Sequence, residues 1–282
     1  MYDDVLKKLV EGLKKTKGSL FPTSFAFYMI FALVPSLTIM QFFLSLFTIP
    51  ADFLQNYLRV IFPNNIATSL IDFLSNSNSW ENIISLLFNL FVSVIIISNG
   101  FNSFINVSNN LYHKKNNFIK KRLKSLLITI GFIVLLFLFF TLSAVMAYFI
   151  GETNVKAFGS VMQIFLEFIM LFILTLLLYS VASDKVLRIK DVWQGALFSA
   201  VGITISLSLF GLYSKYLSNF NNSYGPLTWL LILLLLFQLI GLCVYCGLLL
   251  NTIIKANRDR IKEALKNQEK NTLSIYELVN KK

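Results

Sequence analysis

The sequence predicts an all-α, polytopic membrane protein with six transmembrane helices and both termini in the cytoplasm. Of its 282 residues, 56% are hydrophobic and 14% are charged, whereas soluble domains average about 25% charged residues. Its mean hydropathy of +0.69 is too high for a globular surface in water. Composition therefore excludes a soluble enzyme, a disordered protein and a disulfide scaffold. Two further observations support the prediction, namely six long apolar stretches and an uneven distribution of basic residues.

Each apolar stretch exceeds the roughly 20 helical residues that cross about 30 Å of hydrocarbon. Five stretches carry no charged side chain, and the sixth is interrupted by Glu167 alone. Because their apolar character is continuous and does not alternate, they favour helices over the strands of a β-barrel. The predicted spans are residues 22–49, 82–107, 125–151, 157–183, 192–214 and 226–254.

Lysine and arginine are concentrated on one side of these spans. Of the 25 basic residues, 22 lie in the N-terminal segment, the second and fourth connections and the C-terminal tail. Cytoplasmic loops of membrane proteins carry such an excess, so the net charge of +11 indicates topology and not nucleic-acid binding. We expect a basic cytoplasmic N-terminus over 1–21, a transmembrane domain over 22–254 and a charged cytoplasmic tail over 255–282.

Two connecting segments have helical patterns of their own. The first outside connection, residues 51–81, has apolar residues at helical spacing on both sides of Pro63. This pattern predicts two short amphipathic helices that lie on the outer interface or cap the bundle. The tail from Lys255 to Lys270 predicts a charged helix on anionic lipid headgroups, with Ile261 and Leu265 on one side.

Polar residues collect on one half of the second span at about 100° per residue. They are Asn82, Ser85, Asn89, Asn99, Asn102, Ser103, Asn106, Asn109 and Asn110. Because polar groups are costly in hydrocarbon, this face predicts either a water-accessible path or headgroup groove, or amide contacts between helices. Such contacts are worth only about 0.6 kcal/mol each on average, and the residues alone leave both interpretations open.

The first span has a similar polar half-face that includes Tyr28 and Gln41. Pro35 lies on the same face and removes a backbone hydrogen bond, which predicts a kink that is either structural or a hinge. In the fifth span, small residues recur at helical spacing, which predicts close helix packing. They are Gly195, Ser199, Gly202 and Ser206.

Glu167 is a candidate functional charge, because it lies near the middle of its span. It predicts either proton coupling or cation binding, or a neutral carboxyl whose hydrogen bonds are satisfied. Cys243 and Cys246 lie mid-span among leucines, where packing is favoured over redox chemistry. His113 is the only histidine, and no metalloprotease, hydrolase or Walker sequence is present. We therefore expect no enzyme activity, no metal and no cofactor.

Several blocks of sequence stand out by their order and spacing along the six spans. The two longest are S-F-A-F-Y-M-I-F-A-L-V-P at Ser24–Pro35 and S-N-G-F-N-S-F-I-N-V-S-N-N-L-Y at Ser98–Tyr112. The others are F-I-K-K-R-L at Phe118–Leu123, Q-G-A-L at Gln194–Leu197, Y-S-K-Y-L-S-N-F at Tyr213–Phe220, S-Y-G-P-L at Ser223–Leu227 and G-L-L-L-N at Gly247–Asn251. In these blocks the chain resembles the YihY/BrkB family of bacterial membrane proteins, once labelled ribonuclease BN.

The chain departs from the family pattern in two places. Relatives commonly carry P-G-A where this chain has Gln194-Gly195-Ala196, and G-A-E-L-N where it has Gly247–Asn251. The family's carboxylate position is Leu249 here, so a proton or ion role of that acid does not carry over. The resemblance implies a multi-pass protein of the bacterial cytoplasmic membrane that moves lipids or small solutes.

The favoured hypothesis is a transporter that moves a lipid, a lipid-linked intermediate or another amphiphile. Its expected partners are membrane lipids and an anionic or amphiphilic substrate, and no nucleic acid. The predicted path is formed by Asn99, Asn102, Asn106, Asn109, Tyr28, Gln41 and Glu167. Lys120, Lys121 and Arg122 would attract a headgroup at the inner surface, and a Tyr224-Gly225 turn would shape the outer mouth. The alternatives are an ion- or proton-coupled solute transporter using Glu167, a non-catalytic envelope scaffold and, least favoured, a nuclease.

Overall fold

The computed structural model describes six long helices and no strand among its described residues. These residues are 11, 20–46, 55, 58, 67–68, 70–72, 83–112, 117–151, 156–182, 187–217 and 221–279. The helices are α1 (Phe21–Leu46), α2 (Ile83–Leu111), α3 (Phe118–Gly151), α4 (Lys156–Ala182), α5 (Ile189–Leu217) and α6 (Asn221–Val279). The all-α prediction is therefore confirmed over the part of the chain that is described.

Each helix covers one of the six predicted apolar stretches. By length and composition, four of them contain a segment that can cross a membrane, and α1 contains a shorter apolar segment, Phe21–Leu33. The four segments are Leu90–Leu111 in α2, Phe165–Ala182 in α4, Ile189–Tyr213 in α5 and Leu230–Lys266 in α6. Six spans and cytoplasmic termini stay predictions.

Successive helices pack against each other along the chain, and α6 returns to pack against α1. The main core lies where α2, α4, α5 and α6 meet, around the fully buried Phe104, Tyr179 and Tyr245. Outside this core, large apolar side chains such as Phe91 and Leu235 are more than half exposed. Soluble monomers rarely expose extensive apolar surface, so this exterior is typical of helices that lipid surrounds.

The first connection contributes residues to a second, smaller core. Within 51–81 the described residues are helical, and Leu58, Ala67 and Ile71 are buried with Leu233 of α6. This burial favours the capping position over a position on the outer interface. The remaining residues of the two predicted amphipathic helices lie outside the described part.

Helix α6 is longer than the sequence patterns suggested. It contains 59 residues, which is about 88 Å along its axis at 1.5 Å per residue. The boundary expected at residue 254 lies inside this helix, because the charged tail continues the same backbone hydrogen bonding. The expected Tyr224-Gly225 turn is wrong, since both residues lie in the first turns of α6. Gly225 is the fifth residue of α6 and Pro226 is the sixth, so the helix continues through both.

Helix α1 runs through Pro35 without a break in its helical assignment. The side chains of Pro35, Gln41 and Tyr224 lie outside the described part. Whether Pro35 bends the helix therefore stays a prediction.

Candidate functional site

The described side chains on the polar half of α2 include three asparagines that are neither buried nor fully exposed. Asn99, Asn102 and Asn106 are half-buried, and we call these three residues the amide face. Asn109, farther along α2, is fully buried. On the other side of the helix, Phe101 and neighbouring apolar residues pack into the main core. Packing of that apolar side fixes the rotation of α2 and hence the direction of the amide face.

Two cations from the first turns of α3 reach the amide face. Arg122 Nη1 donates to Asn99 Oδ1 at 2.6 Å, and Lys121 Nζ donates to Asn106 Oδ1 at 2.5 Å. Both cationic side chains are half-buried, whereas Lys120 is exposed. The predicted basic rim is therefore divided into two residues directed toward α2 and one directed away.

Arg122 contacts α2 far from the end of that helix. Asn99 precedes the last residue of α2 by twelve residues, which is about 18 Å along the axis. It also lies near the middle of the membrane-crossing segment Leu90–Leu111. An arginine at the centre of a span costs at least about 2.5 kcal/mol on insertion scales, and such residues usually mark functional sites.

The sequence did not predict these contacts between α3 and α2, because the predicted third span begins at residue 125, after the basic residues. The helix begins at Phe118 and includes them. Arginine and lysine have long apolar stems that can carry a charge several ångströms from the backbone. Their position three and four residues before a charge-free stretch was the signal that could have revealed these contacts.

Helix α1 borders the amide face on one side. Ser24 Oγ and Ser103 Oγ are 3.0 Å apart and form a hydrogen bond. Tyr28 packs on Gly100, where an added Cβ would lie 3.5 Å from Tyr28 Cβ. Tyr28 is thus next to the residue that follows Asn99. Gln41 cannot be placed, because its side chain is not described.

The other predicted path residue, Glu167, lies on α4 and is half-buried. The membrane-crossing segment Phe165–Ala182 contains it near one end. Its placement near one end of an apolar segment keeps both of its predicted roles open.

The small-residue stripe of α5 lies against α6. A Cβ at Gly195 would overlap the carbonyl oxygen of Gly247, and a Cβ at Gly202 would lie 2.8 Å from Cys243 Sγ. Ser199 Oγ donates to the Cys243 carbonyl oxygen at 2.9 Å. These contacts are the close helix packing that the stripe predicts.

Buried hydrogen bonds reinforce this packing at positions that the sequence did not indicate. Tyr179 Oη of α4 donates to the Val244 carbonyl oxygen at 2.7 Å and is 2.5 Å from Ser199 Oγ. The Gly195 N–H donates to Asn251 Oδ1 at 2.8 Å. Asparagine at the end of a leucine run was the signal for Asn251, whereas a single tyrosine in an apolar span is not informative.

Charged groups join α5, α6 and the end of α2 beyond this packing. Arg258 of α6 forms an ion pair with Asp191 of α5 at 2.5 Å. Lys255 Nζ lies 5.7 Å from the ring centroid of Tyr112. Burial raises the pKa of the Tyr112 phenol, and the Asp191 carboxylate raises it further. Tyr112 therefore stays neutral at physiological pH.

Metal-binding geometry is not found among the described side chains. They include no group of three or more histidine, cysteine, aspartate or glutamate residues that could hold a metal ion. His113 lies outside the described part.

A family model described as virulence factor BrkB matches residues 9–272. The chain belongs to this family. The YihY/BrkB resemblance of the sequence blocks is thereby confirmed over nearly the whole chain. In this BrkB-family protein, two separate blocks meet in space, since Gly195 of one contacts Gly247 and Asn251 of the other. The second block also carries Leu249, which is 3% exposed.

A curated relative is "Putative ribonuclease-like protein YfkH" of Bacillus subtilis (strain 168). It is 25% identical over 262 residues, which cover 88% of this chain and 94% of the relative. No solved structure matches the chain. The comparisons establish a BrkB-family membrane protein with several apolar helices.

Proposed function

We propose that this BrkB-family protein moves a lipid, a lipid-linked intermediate or another amphiphile across the bacterial cytoplasmic membrane. In this proposal all six helices span the bilayer and both termini are cytoplasmic. The amphiphile passes along the amide face of α2 beside α1, and its polar group leaves or enters near the basic start of α3. The observation that supports the proposal is the half-buried amide face joined to two cations.

Half-burial of the amides supports this arrangement over two others that would exclude a path. Amides directed entirely at acyl tails would be left without hydrogen-bond partners, at a cost of several kcal/mol each. Amides enclosed between helices would be inaccessible to a substrate. Asn99, Asn102 and Asn106 retain exposed surface while two of them hold hydrogen bonds.

A catalytic role is not part of the proposal. The name of the relative contains the words "ribonuclease-like", but hydrolysis of a phosphodiester needs a general base, a metal or an activated nucleophile. The described residues of this chain offer no metal cluster, and we assign the basic residues near the inner surface to lipid headgroups.

Headgroup movement in reconstituted liposomes tests the proposal. Fluorescent lipid in the outer leaflet is bleached by dithionite, and protein-dependent movement exposes the inner pool as well. The triple variant Asn99→Leu, Asn102→Leu and Asn106→Leu should reduce this movement to the protein-free rate. Asn110→Leu, a change at an exposed asparagine of the same helix, should leave it intact. Wild-type movement in the triple variant would reject the path.

A second candidate function is ion- or proton-coupled solute transport, which is favoured by a half-buried carboxyl in an apolar helix. It predicts pH-dependent uptake of a solute into proteoliposomes that Glu167→Gln abolishes, because the amide cannot exchange a proton. Uptake should be measured at several pH values in the wild type and the variant. Equal pH profiles would remove Glu167 from any coupling role.

A further inference from the structure

We propose that Arg122 and Lys121 form a binding site for a phosphate group, and that Asn99 and Asn106 are positioning residues for these cations. The site lies on the amide face, so the inference rests on the proposed function for its biological meaning. It also changes the roles within that face. The two outer asparagines hold the cations, and Asn102 between them is left to contact the ligand.

The hydrogen-bond partners of the two cations are neutral amides. Both cations donate to amide oxygens, which accept a hydrogen bond but carry no net charge. These bonds orient the side chains, and the asparagines do not neutralise the two positive charges. A carboxylate in either place would give an ion pair suited to holding helices together, as Asp191 does for Arg258. Two amides give a site that keeps its attraction for an anion.

The two cations contact α2 at separate positions along its axis. Arg122 and Lys121 are neighbours in sequence, yet their partners Asn99 and Asn106 are seven residues apart on α2. Seven residues correspond to about 10.5 Å along a helix. The two charges are therefore spread along the amide face, with the half-buried Asn102 between them.

Both cations have more hydrogen-bond donors than their bonds to the asparagines use. A guanidinium has five N–H donors in a planar fork and an ammonium has three. The bond from Arg122 to Asn99 uses one donor of the guanidinium, and the bond from Lys121 to Asn106 uses one donor of the ammonium. Phosphate has several anionic oxygens and matches the guanidinium fork in geometry. It can therefore bind the Arg122 fork directly while the Lys121 ammonium farther along the face adds attraction, and a phosphate carried by a lipid would keep its acyl chains beside exposed apolar residues such as Phe27 and Phe31 of α1.

Binding measurements on the purified full-length protein in detergent test the site. The probes are short-chain phosphatidylglycerol, short-chain phosphatidylcholine as a zwitterionic comparison, and inorganic phosphate. Losing a hydrogen bond to a charged group weakens binding by about tenfold or more. We expect that loss for phosphatidylglycerol in both Arg122→Gln and Lys121→Gln. The matched control Lys190→Gln removes an exposed charge of α5 that belongs neither to the site nor to the predicted rim, and should change the dissociation constant less than twofold.

The positioning role requires a separate measurement. Asn99→Leu should weaken binding in the wild type but have no further effect in Arg122→Gln, because it acts through the guanidinium. The affinity of Asn99→Leu should keep the salt dependence of the wild type, since the number of charges is unchanged, whereas Arg122→Gln should reduce it. Arg122→Lys retains the charge and should recover part of the affinity lost in Arg122→Gln.

The outcomes separate the possible sources of the phosphate. Residue-dependent binding of phosphatidylglycerol alone assigns the site to a lipid headgroup, and equal residue dependence for inorganic phosphate assigns it to a free anion. Either result supports a phosphate site. Wild-type affinity in both glutamine variants, or an equal loss in Lys190→Gln, would overturn it.

Headgroup movement in liposomes separates this inference from the proposed function. Residue-specific binding by a wild type that moves no lipid would reject the function and keep the site. Wild-type movement together with wild-type affinity in Arg122→Gln and Lys121→Gln would keep the function and reject the site. Size-exclusion profiles and helical circular dichroism of each variant confirm that a loss of binding is not a loss of fold.

Discussion

At the scale of single residues, the tightest constraints lie between α5 and α6. Gly195 and Gly247 approach so closely that neither position has room for a methyl group. The Gly195 N–H and the Asn251 side chain are joined at the same place. These two glycines belong to the blocks that carry the family resemblance, so the resemblance corresponds here to a helix contact.

The variant Gly195→Ala should destabilise the protein by about 1–3 kcal/mol, because the added methyl forces two backbones apart. Gly211→Ala is the matched control on the same helix, since nothing lies within 4 Å of its added Cβ. Alanine has the better helix propensity, by about 1 kcal/mol, so the control should unfold at the same temperature as the wild type or higher. Thermal unfolding in detergent measures both, and equal midpoints would contradict the packing assigned to Gly195.

Residue roles were only partly predictable from the sequence. The stripe on α5 was visible because glycine and serine at helical spacing have few uses other than close packing. The bonds from Arg122 to Asn99 and from Lys121 to Asn106 were not, because the rim and the polar face were assigned to separate parts of the protein. Which asparagine meets which cation depends on the relative height of two helices, and sequence periodicity gives rotation but not height.

At the scale of helices, the apolar stretches located all six elements but not their ends. Hydrophobicity ends where charge begins, whereas a helix ends where its backbone hydrogen bonds stop. Helix α3 therefore starts seven residues before its charge-free stretch, and α6 continues to Val279. The turn expected at Tyr224-Gly225 was wrong because that expectation relied on the low helix propensity of glycine and proline, whereas α6 begins at Asn221 and continues through both residues.

The ion pair between Arg258 and Asp191 connects the ends of α5 and α6. The arginine side chain is 38% exposed and the aspartate 19% exposed, and exposed pairs contribute at most about 1 kcal/mol. A double-mutant cycle of Asp191→Asn and Arg258→Gln should give a coupling energy of about 0.5–1 kcal/mol from thermal unfolding. Lys262→Gln, at an exposed lysine one turn farther along α6, should show no coupling with Asp191→Asn. Coupling well above 2 kcal/mol would indicate that the pair is more enclosed than this geometry indicates.

At the scale of the whole molecule, the orientation in the membrane depends on whether α1 and α3 cross it. Four helices contain described segments that meet the length and composition needed, whereas α1 contributes a shorter one. The distribution of basic residues predicts six spans, since it gives one side to the N-terminal segment, residues 113–117 and the tail, and the other side to residues 152–155. A protein with six spans and one in which α1 or α3 does not cross therefore differ in the side of the membrane on which particular connections lie.

Single cysteines in a variant with Cys243→Ala and Cys246→Ala can decide between these topologies. The four positions are Tyr2→Cys, Asn116→Cys, Asn154→Cys and Lys281→Cys. With six spans, a membrane-impermeant maleimide labels only Asn154→Cys in intact cells, and labels all four after permeabilisation. If α3 did not cross, Asn116→Cys and Asn154→Cys would share a side. If α1 did not cross, Tyr2→Cys and Asn116→Cys would lie on opposite sides. Either pattern would also move the Arg122 contact relative to the bilayer, so the labelling tests the setting on which the proposed path depends.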